Sequence, residues 1–482
     1  MKRFQGSFWL WTLAGLCLAL AFQAIELSWL IFPGLLLLLY ALDLSPSHQS
    51  AFYGVWWAGT LKTAGALVWV WSILPLTWIP LETSPLLVFV LALYWLSAAA
   101  VISLGFALVA RQYKKWSTTH PYAIYLLPAL WALGEMAGSF LFSLLTWGTG
   151  SVPNIYFSYG YIGYTIAPYQ IFFPTAALAG VYGLSFILVL LSSTTYTLLQ
   201  RKEKRSGFGL LTVLIVVLGS SWLLYQPDTV NQNSSVAAIS TQFPLTERVD
   251  AERYPVLIEN THTAVSAALS YQPDYILMPE HSDWSSRFED NSAALRFLTE
   301  ATSKPITLID SAKHVTEEGR KQVRATVYNT ATEAINYQAK DYLVPHGEYV
   351  PILHILLLYL FADEKTFAYF NFKQNYQRGL DIPTADNLPL LFCFSNTNPL
   401  AAKHLSQSHS DIIFHLTAHD WFGSPENLRY QQDMMLRVQA LWSNKMIVSA
   451  SNQGPSRSYQ PDGNITTNEP VVSGKNWSVR LY

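Results

Sequence analysis

Three residues able to share nucleophilic chemistry lie in the second half of this sequence: a carboxylate at Glu280, an amine at Lys340 and a thiol at Cys393. Cys393 is one of two cysteines and sits in the apolar string LPLLFCFS. An unperturbed thiol has a pKa near 8.5, so a nearby cation and a base are needed to make thiolate available. Each residue also has an ordinary reading. Cys393 is then a small core hydrophobe, Glu280 a helix N-cap or solvated strand end, and Lys340 a surface lysine. Taken singly, the ordinary readings outweigh the chemical ones.

The elements around these residues are regular. Strand-like runs occur at 235–240, 274–280, 305–310, 388–394, 411–417 and 445–451, and helical spacing occupies 250–270, 291–303 and 425–443. Strands alternating with helices predict a layered α/β domain, which places chemistry at strand ends or in the loops just after them. Glu280 ends one run, Cys393 lies near the end of another, and Lys340 falls in the loop YQAKDYLVPHGEYVP.

The first half is a different material. Only 13% of the chain is charged, about half the usual share, and residues 1–230 hold 10 Lys/Arg and 6 Asp/Glu against 20 and 26 in the remainder. A membrane-like, slightly basic half thus precedes a globular, acidic one. With a net charge of −2 and no basic cluster in the second half, nucleic acid is excluded as a partner. Two cysteines far apart exclude a disulfide framework. Seven apolar runs, at 7–24, 27–42, 63–80, 85–110, 122–147, 169–199 and 208–225, are long enough to cross about 30 Å of hydrocarbon. The first follows Lys2 and Arg3 and reads as a retained helix. Cys17 follows Leu13-Ala14-Gly15-Leu16, where Leu16 is too large for a lipid-attachment box, and reads as packing.

With the N-terminus inside, the loops holding Arg111, Lys114, Lys115, Arg201, Lys202, Lys204 and Arg205 fall on the cytoplasmic side, and residues 231–482 fall outside. Lys62 reads as snorkelling at the edge of the third span. Glu135, deeper in its span, should face the bundle interior or a polar cavity. The uncharged loop 148–168 suits the outer interface.

The strings MPEHSDW (278–284), K-x-x-L-V-P-x-G-E-Y-V-P (340–351), the cysteine after an apolar strand, DWFG (420–423) and SNQG (451–454) follow one another behind this multispan half. In that order they resemble bacterial apolipoprotein N-acyltransferases, membrane members of the nitrilase superfamily. GVYGLS (180–185) also looks like text of that family. The resemblance implies a multi-span α-helical membrane bundle (1–230, about seven helices) followed by an α/β nitrilase-like αββα sandwich (231–482) on the extracytoplasmic side of a bacterial inner membrane. It places a catalytic triad on Glu280, Lys340 and Cys393, with Glu348 as a supporting acid. It implies transfer of an acyl chain from a membrane phospholipid, through a Cys393 thioester, to the α-amino group of a diacylglyceryl-cysteine at an apolipoprotein N-terminus, without cofactor or metal.

The chain departs from the family's usual residues at Phe394, Ser395, Ala418, His419, Gln439, Trp442 and Ser449, and its last residues read as a polar tail. Two further readings therefore stay open. One is a membrane-tethered amidase or other acyltransferase with the same triad, the other a weakly active or inactive lipoprotein-binding homologue. The segment 350–372 is more apolar than a water-facing loop and is expected to form a lid or membrane-dipping arm, the alternative being a buried helix.

Overall fold

The computed structural model describes all residues except 1, 76–84, 202–203, 228–233, 245–249, 318, 371–375, 380–387 and 424. Seven α-helices precede the first strand among the described residues: α1 (Lys2–Leu20), α2 (Ile31–Leu44), α3 (His48–Ala66), α4 (Pro85–Ser117), α5 (Leu127–Leu145), α6 (Phe173–Tyr196) and α7 (Lys204–Leu224). Among the described residues, five helical stretches are long and apolar enough to cross a membrane: Ile25–Leu44, Leu87–Ser117, Tyr122–Leu145, Gln170–Gln200 and Lys204–Leu224. Leu93, Leu108, Ile215 and Val216 stay exposed on their flanks, as lipid-facing side chains would.

Of the expected span at 63–80, residues 76–80 lie outside the described residues. The helix that reaches its start is α3, which begins earlier, at a Ser47 cap that accepts the Ser50 amide at 3.1 Å, and ends at Ala66. A search for continuous apolar text misses α3, because polar Gln49, Thr60, Lys62 and Thr63 interrupt it. Small residues explain why it still packs inside the bundle. Gly54 faces the Trp11 ring of α1 and Gly59 faces Ser103 of α4, so neighbouring backbones approach closely. Lys62 consequently does not snorkel. It is 2% exposed and donates to the Gly160 carbonyl at 2.7 Å.

Among the described residues the second half has twelve strands: β1 (Val236–Thr241), β2 (Tyr275–Leu277), β3 (Thr307–Val315), β4 (Lys321–Asn329), β5 (Ala334–Ala339), β6 (Leu390–Phe392), β7 (Ile412–Ala418), β8 (Met446–Asn452), β9 (Arg457–Tyr459), β10 (Ile465–Thr466), β11 (Val472–Ser473) and β12 (Trp477–Leu481). Strands β1–β2–β3 run parallel and continue antiparallel into β4 and β5, while β6–β7–β8 form a second parallel set. The two sets meet where Thr241 of β1 pairs with Asn452 of β8. The residues expected to form a polar tail contain β12, which runs antiparallel along β1.

Strand alternation builds the layers. Val236, Ala238, Leu277 and Ile309 from one set share a core with Phe414, Leu416, Met446 and Val448 from the other. The opposite faces, Ala237, Ile239, Ile276 and Leu308, pack under α8 (Tyr254–Leu269) and α9 (Asn291–Ala301). Ile413 and Ile447 pack under α12 (Ala401–Leu405) and α13 (Glu426–Ser443). The order helix, sheet, sheet, helix is the expected αββα sandwich.

The sandwich sits at one end of the helices. Gln431 of α13 donates to the Ala66 carbonyl at the end of α3 at 2.8 Å, and Tyr349 donates to the Thr146 carbonyl at the end of α5 at 2.8 Å. Lys114 lies at the other end of α4, capping the last carbonyls of α2. The loop 148–168 lies between bundle and sandwich and is largely buried from Phe157 to Ala167. Between β5 and β6 come α10 (Ile352–Phe361) and α11 (Glu364–Ala368). Leu353, Leu356, Leu357, Tyr359 and Leu360 of α10 are exposed, so it is not an ordinary buried helix.

Candidate active site

Four side chains from separate elements meet where the sandwich faces the bundle. Glu280 lies three residues beyond β2, Lys340 immediately follows β5, Glu348 sits in the LVPHGEYVP loop, and Cys393 follows β6 directly and opens a turn to Thr397. The sequence placed Lys340 in a loop; the structure places it one residue past the β4–β5 hairpin. That hairpin is inconspicuous because KQVRATVYN and AINYQA carry polar residues among the apolar ones. Lys340 continues the ladder, its amide donating to the Val323 carbonyl at 2.8 Å, so the stem is held at both ends.

The Lys340 ammonium donates to Glu280 Oε1 at 3.0 Å and to Glu348 Oε1 at 2.8 Å. Glu348 Oε2 accepts the Val344 amide at 2.8 Å, which fixes the carboxylate from behind. Glu280 Oε2 accepts the Cys393 amide at 3.0 Å, so one carboxylate touches both the lysine and the cysteine turn. Lys340 is 1% exposed and Glu280 3%, whereas Cys393 remains partly exposed. The sequence-derived residues Glu280, Lys340, Cys393 and Glu348 are thus brought together as one contiguous cluster.

Burial raises the Glu280 pKa, Lys340 opposes the shift, and Glu348 adds to it by repulsion. Burial alone would lower Lys340, but Glu280 and Glu348 outweigh it and hold the ammonium well above its ordinary range. The Cys393 thiol is pushed up to about 11, first by burial and then by the Glu280 charge, while Lys340 and Thr417 pull it down. A neutral thiol beside a base of raised pKa suits proton removal during attack rather than a standing thiolate. Glu280, His281 and Glu348 each bring one possible ligand atom within 4.8 Å of the others, a spacing a cation could use. The Lys340 ammonium already binds both carboxylates, so the donor set is that of an ion-pair cluster.

The departures from familiar text have partners of their own. Phe394 packs against Tyr342 with ring centres 4.8 Å apart and planes tilted by 30°, and Ser395 donates to Asp341 Oδ1 at 3.0 Å. Gln439 accepts the Ala402 amide at 3.1 Å and donates to the Asn396 carbonyl at 2.6 Å, bracing the cysteine turn. Ser449 shares a 2.8 Å hydrogen bond with His415. Trp442 fills the space beside Gly180, whose φ of +57° kinks α6 and where a Cβ would lie 2.1 Å from the indole. The bundle also reaches the turn: Ser158 donates to the Thr397 carbonyl at 2.6 Å.

Sequence reasoning missed Thr417, whose hydroxyl lies 3.2 Å from Cys393 Sγ, and saw His419, 3.3 Å from that hydroxyl, only as a departure from the family's usual residue. The available signal was polar residues, His415 and Thr417, inside the otherwise apolar run DIIFHLT.

Residues 14–194 match the family model described as the apolipoprotein N-acyltransferase N-terminal domain. An apolipoprotein N-acyltransferase from Pseudomonas putida is 26% identical over 463 residues, covering 89% of this chain and 81% of that one. The Aquifex aeolicus enzyme of the same name is 23% identical over 347 residues, covering 71% and 74%. The Rickettsia prowazekii relative is 22% identical over 349 residues, and the alignment takes in 70% of this chain but only 65% of that relative's length. Among solved structures, an amidase of the nitrilase superfamily from Nesterenkonia covers 53% of the chain at 14% identity and a TM-score of 0.36. A carbon-nitrogen hydrolase from Helicobacter pylori covers 52%, also at 14% identity and a TM-score of 0.36. This chain is similar to the apolipoprotein N-acyltransferases, matching the model of their N-terminal domain over residues 14–194 and resembling them along most of its length.

Proposed function

We propose that the chain is an apolipoprotein N-acyltransferase that uses Cys393 as nucleophile. The observation that carries this reading is Glu280, which binds the Lys340 ammonium with one oxygen and the Cys393 amide with the other. Cys393 Sγ attacks the ester carbonyl of a membrane phospholipid, and its proton passes to Glu280. Lys340 donates to the oxyanion of the tetrahedral intermediate. The ester C–O bond breaks, a lysophospholipid leaves with the proton, and an acyl thioester remains. The α-amino group of a diacylglyceryl-cysteine then attacks the thioester, Glu280 accepts its proton, and the thiol returns. Glu348 keeps Lys340 charged and in place. No external energy source is needed, because a thioester is converted into a more stable amide.

The arrangement of the whole chain supports this reading. A 1–230 bundle and a 231–482 catalytic domain, with the sandwich at the end of the helices away from Lys114, fit an extracytoplasmic catalytic face under the positive-inside rule. The exposed apolar helix α10 begins at the end of α5, where the Ile352 amide donates to the Trp147 carbonyl at 2.8 Å. It therefore lies at the level where lipid substrates would arrive, as an arm in contact with the bilayer.

The test is labelling with an alkyne-tagged phospholipid. The parent should accumulate a hydroxylamine-sensitive acyl adduct, and Cys393→Ala should form none. Labelling that survives in Cys393→Ala rules the thioester out. Release of free fatty acid or ammonia without an N-acylated lipoprotein would point to an amidase or another acyltransferase.

A further inference from the structure

The strand beside the cysteine supplies a second set of contacts to the sulfur, separate from Glu280 and Lys340. Thr417, next to last in β7, brings its hydroxyl to 3.2 Å from Cys393 Sγ. The same hydroxyl lies 3.3 Å from His419 Nε2, and His419 Nδ1 has a long contact of 3.5 Å with Ser451 Oγ. Thr417 and His419 are both buried, so water does not compete for these contacts. The Ala418 carbonyl between them is 3.6 Å from the sulfur and accepts the thiol proton in the resting state.

Thr417 has one proton and gives it to the sulfur, so its oxygen accepts from His419 Nε2–H, which leaves Nδ1 as an acceptor facing Ser451, whose hydroxyl also donates to the Asn452 carbonyl at 3.3 Å. We propose that Thr417, held by His419, is a positioning residue that donates to the Cys393 sulfur and stabilises its anionic form during attack and during departure from the thioester. The inference rests on the reading of Cys393 as the nucleophile.

The electrostatics around the chain agree with this role. Glu280 and Lys340 act on the sulfur with opposite sign, and Tyr159 also lies within its field. Burial keeps His419 neutral by lowering its pKa, with Gln432, Asp433 and Asp420 opposing the shift and Arg429 adding to it. A neutral imidazole has one donating and one accepting nitrogen, as the relay requires. With the thiol itself pushed up to about 11, a neutral donor beside the sulfur helps the anion without adding another buried charge.

The experiment uses the full chain in detergent micelles with Cys17→Ser, leaving Cys393 as the single thiol, and follows iodoacetamide alkylation against pH. Thr417→Val keeps the shape and removes the donor. It should slow alkylation about tenfold at a given pH and move the profile up by roughly one unit, the effect of losing one hydrogen bond to an ionised sulfur. Thr417→Ser keeps the donor and should stay within about twofold of the parent, and His419→Ala should give a smaller shift in the same direction as Thr417→Val. Equal profiles for Thr417→Val and parent overturn the proposal. Equal slowing in Thr417→Val and Thr417→Ser overturns it too, because the hydroxyl is then not the cause. A phospholipid probe run in parallel separates the two readings. A parent that captures no acyl group refutes Cys393 as the acyl carrier, whatever the alkylation contrast. Acyl capture with unchanged alkylation profiles removes Thr417 alone.

Discussion

This molecule buries lysine and glutamate together twice, once inside the helical bundle and once under the sandwich. In the bundle, Lys62 donates to the Gly160 carbonyl and lies 4.2 Å from the centre of the Phe106 ring, while Glu135 accepts the Ile162 amide at 2.8 Å. Both charges end on the backbone of the same buried loop, so Glu135 proves to be a brace for that loop. Under the sandwich, Lys340, Glu280 and Glu348 bind one another, and the spare Glu280 oxygen holds the amide of a partly exposed cysteine. Similar residue types thus serve different ends. What separates them is the last partner in the chain of contacts, a backbone loop in one case and a nucleophile in the other.

Lys340→Met should give the largest effect. It should abolish acyl-adduct formation, with a loss on the order of 10³-fold for removal of the oxyanion donor. It should also lower thermal stability in detergent, because two carboxylates are left buried together. Lys62→Met should do the reverse. It should cost about 2 kcal/mol of stability for leaving the buried Gly160 carbonyl without its donor, read as a drop in melting temperature, while adduct yield per folded molecule stays within about twofold. An equal loss of activity in Lys62→Met would erase the contrast between the two sites.

The pH profile sharpens the comparison. Glu280 acts as base only when ionised, and its pKa is raised, so acylation should rise with pH through a range above that of an ordinary carboxylate. Glu348→Gln removes the repulsion that adds to the shift and should move this rise to lower pH, read from initial rates of adduct formation. The smallest expected effect is that of Ser158→Ala, which leaves the Thr397 carbonyl held by the Ser158 amide alone. A stability loss of about 1 kcal/mol and a rate loss of a few-fold should follow.

Most of the sandwich was legible because strand and helix periods survive in the text. All six strand-like runs became strands, and the three helical stretches became α8, α9 and α13. The β4–β5 hairpin was missed where apolar and polar residues mix, and β12 where polar text pairs along β1. In the bundle, the start of α3 was missed because interior helices of a bundle are recognised by small residues and internal polar contacts, which a search for apolar runs ignores. Glu280, Lys340, Glu348 and Cys393 were identifiable because they sit in distinctive strings. Thr417 carries no such string, and its role depends on which strand lies beside the cysteine.

By itself the sequence determined the division into an apolar basic half and a polar acidic half, the alternation that makes layers, and the residue types available for chemistry. These follow from local composition and spacing, because hydrophobic periodicity acts over a few residues. Only the tertiary structure decided that Glu280 spans Lys340 and Cys393, that Ser158 of the bundle holds the cysteine turn, and that Thr417 faces the sulfur. Those contacts join positions 24 to 239 residues apart. Distances of that kind are set by strand order and by the docking of the sandwich on the helices, which no local pattern encodes.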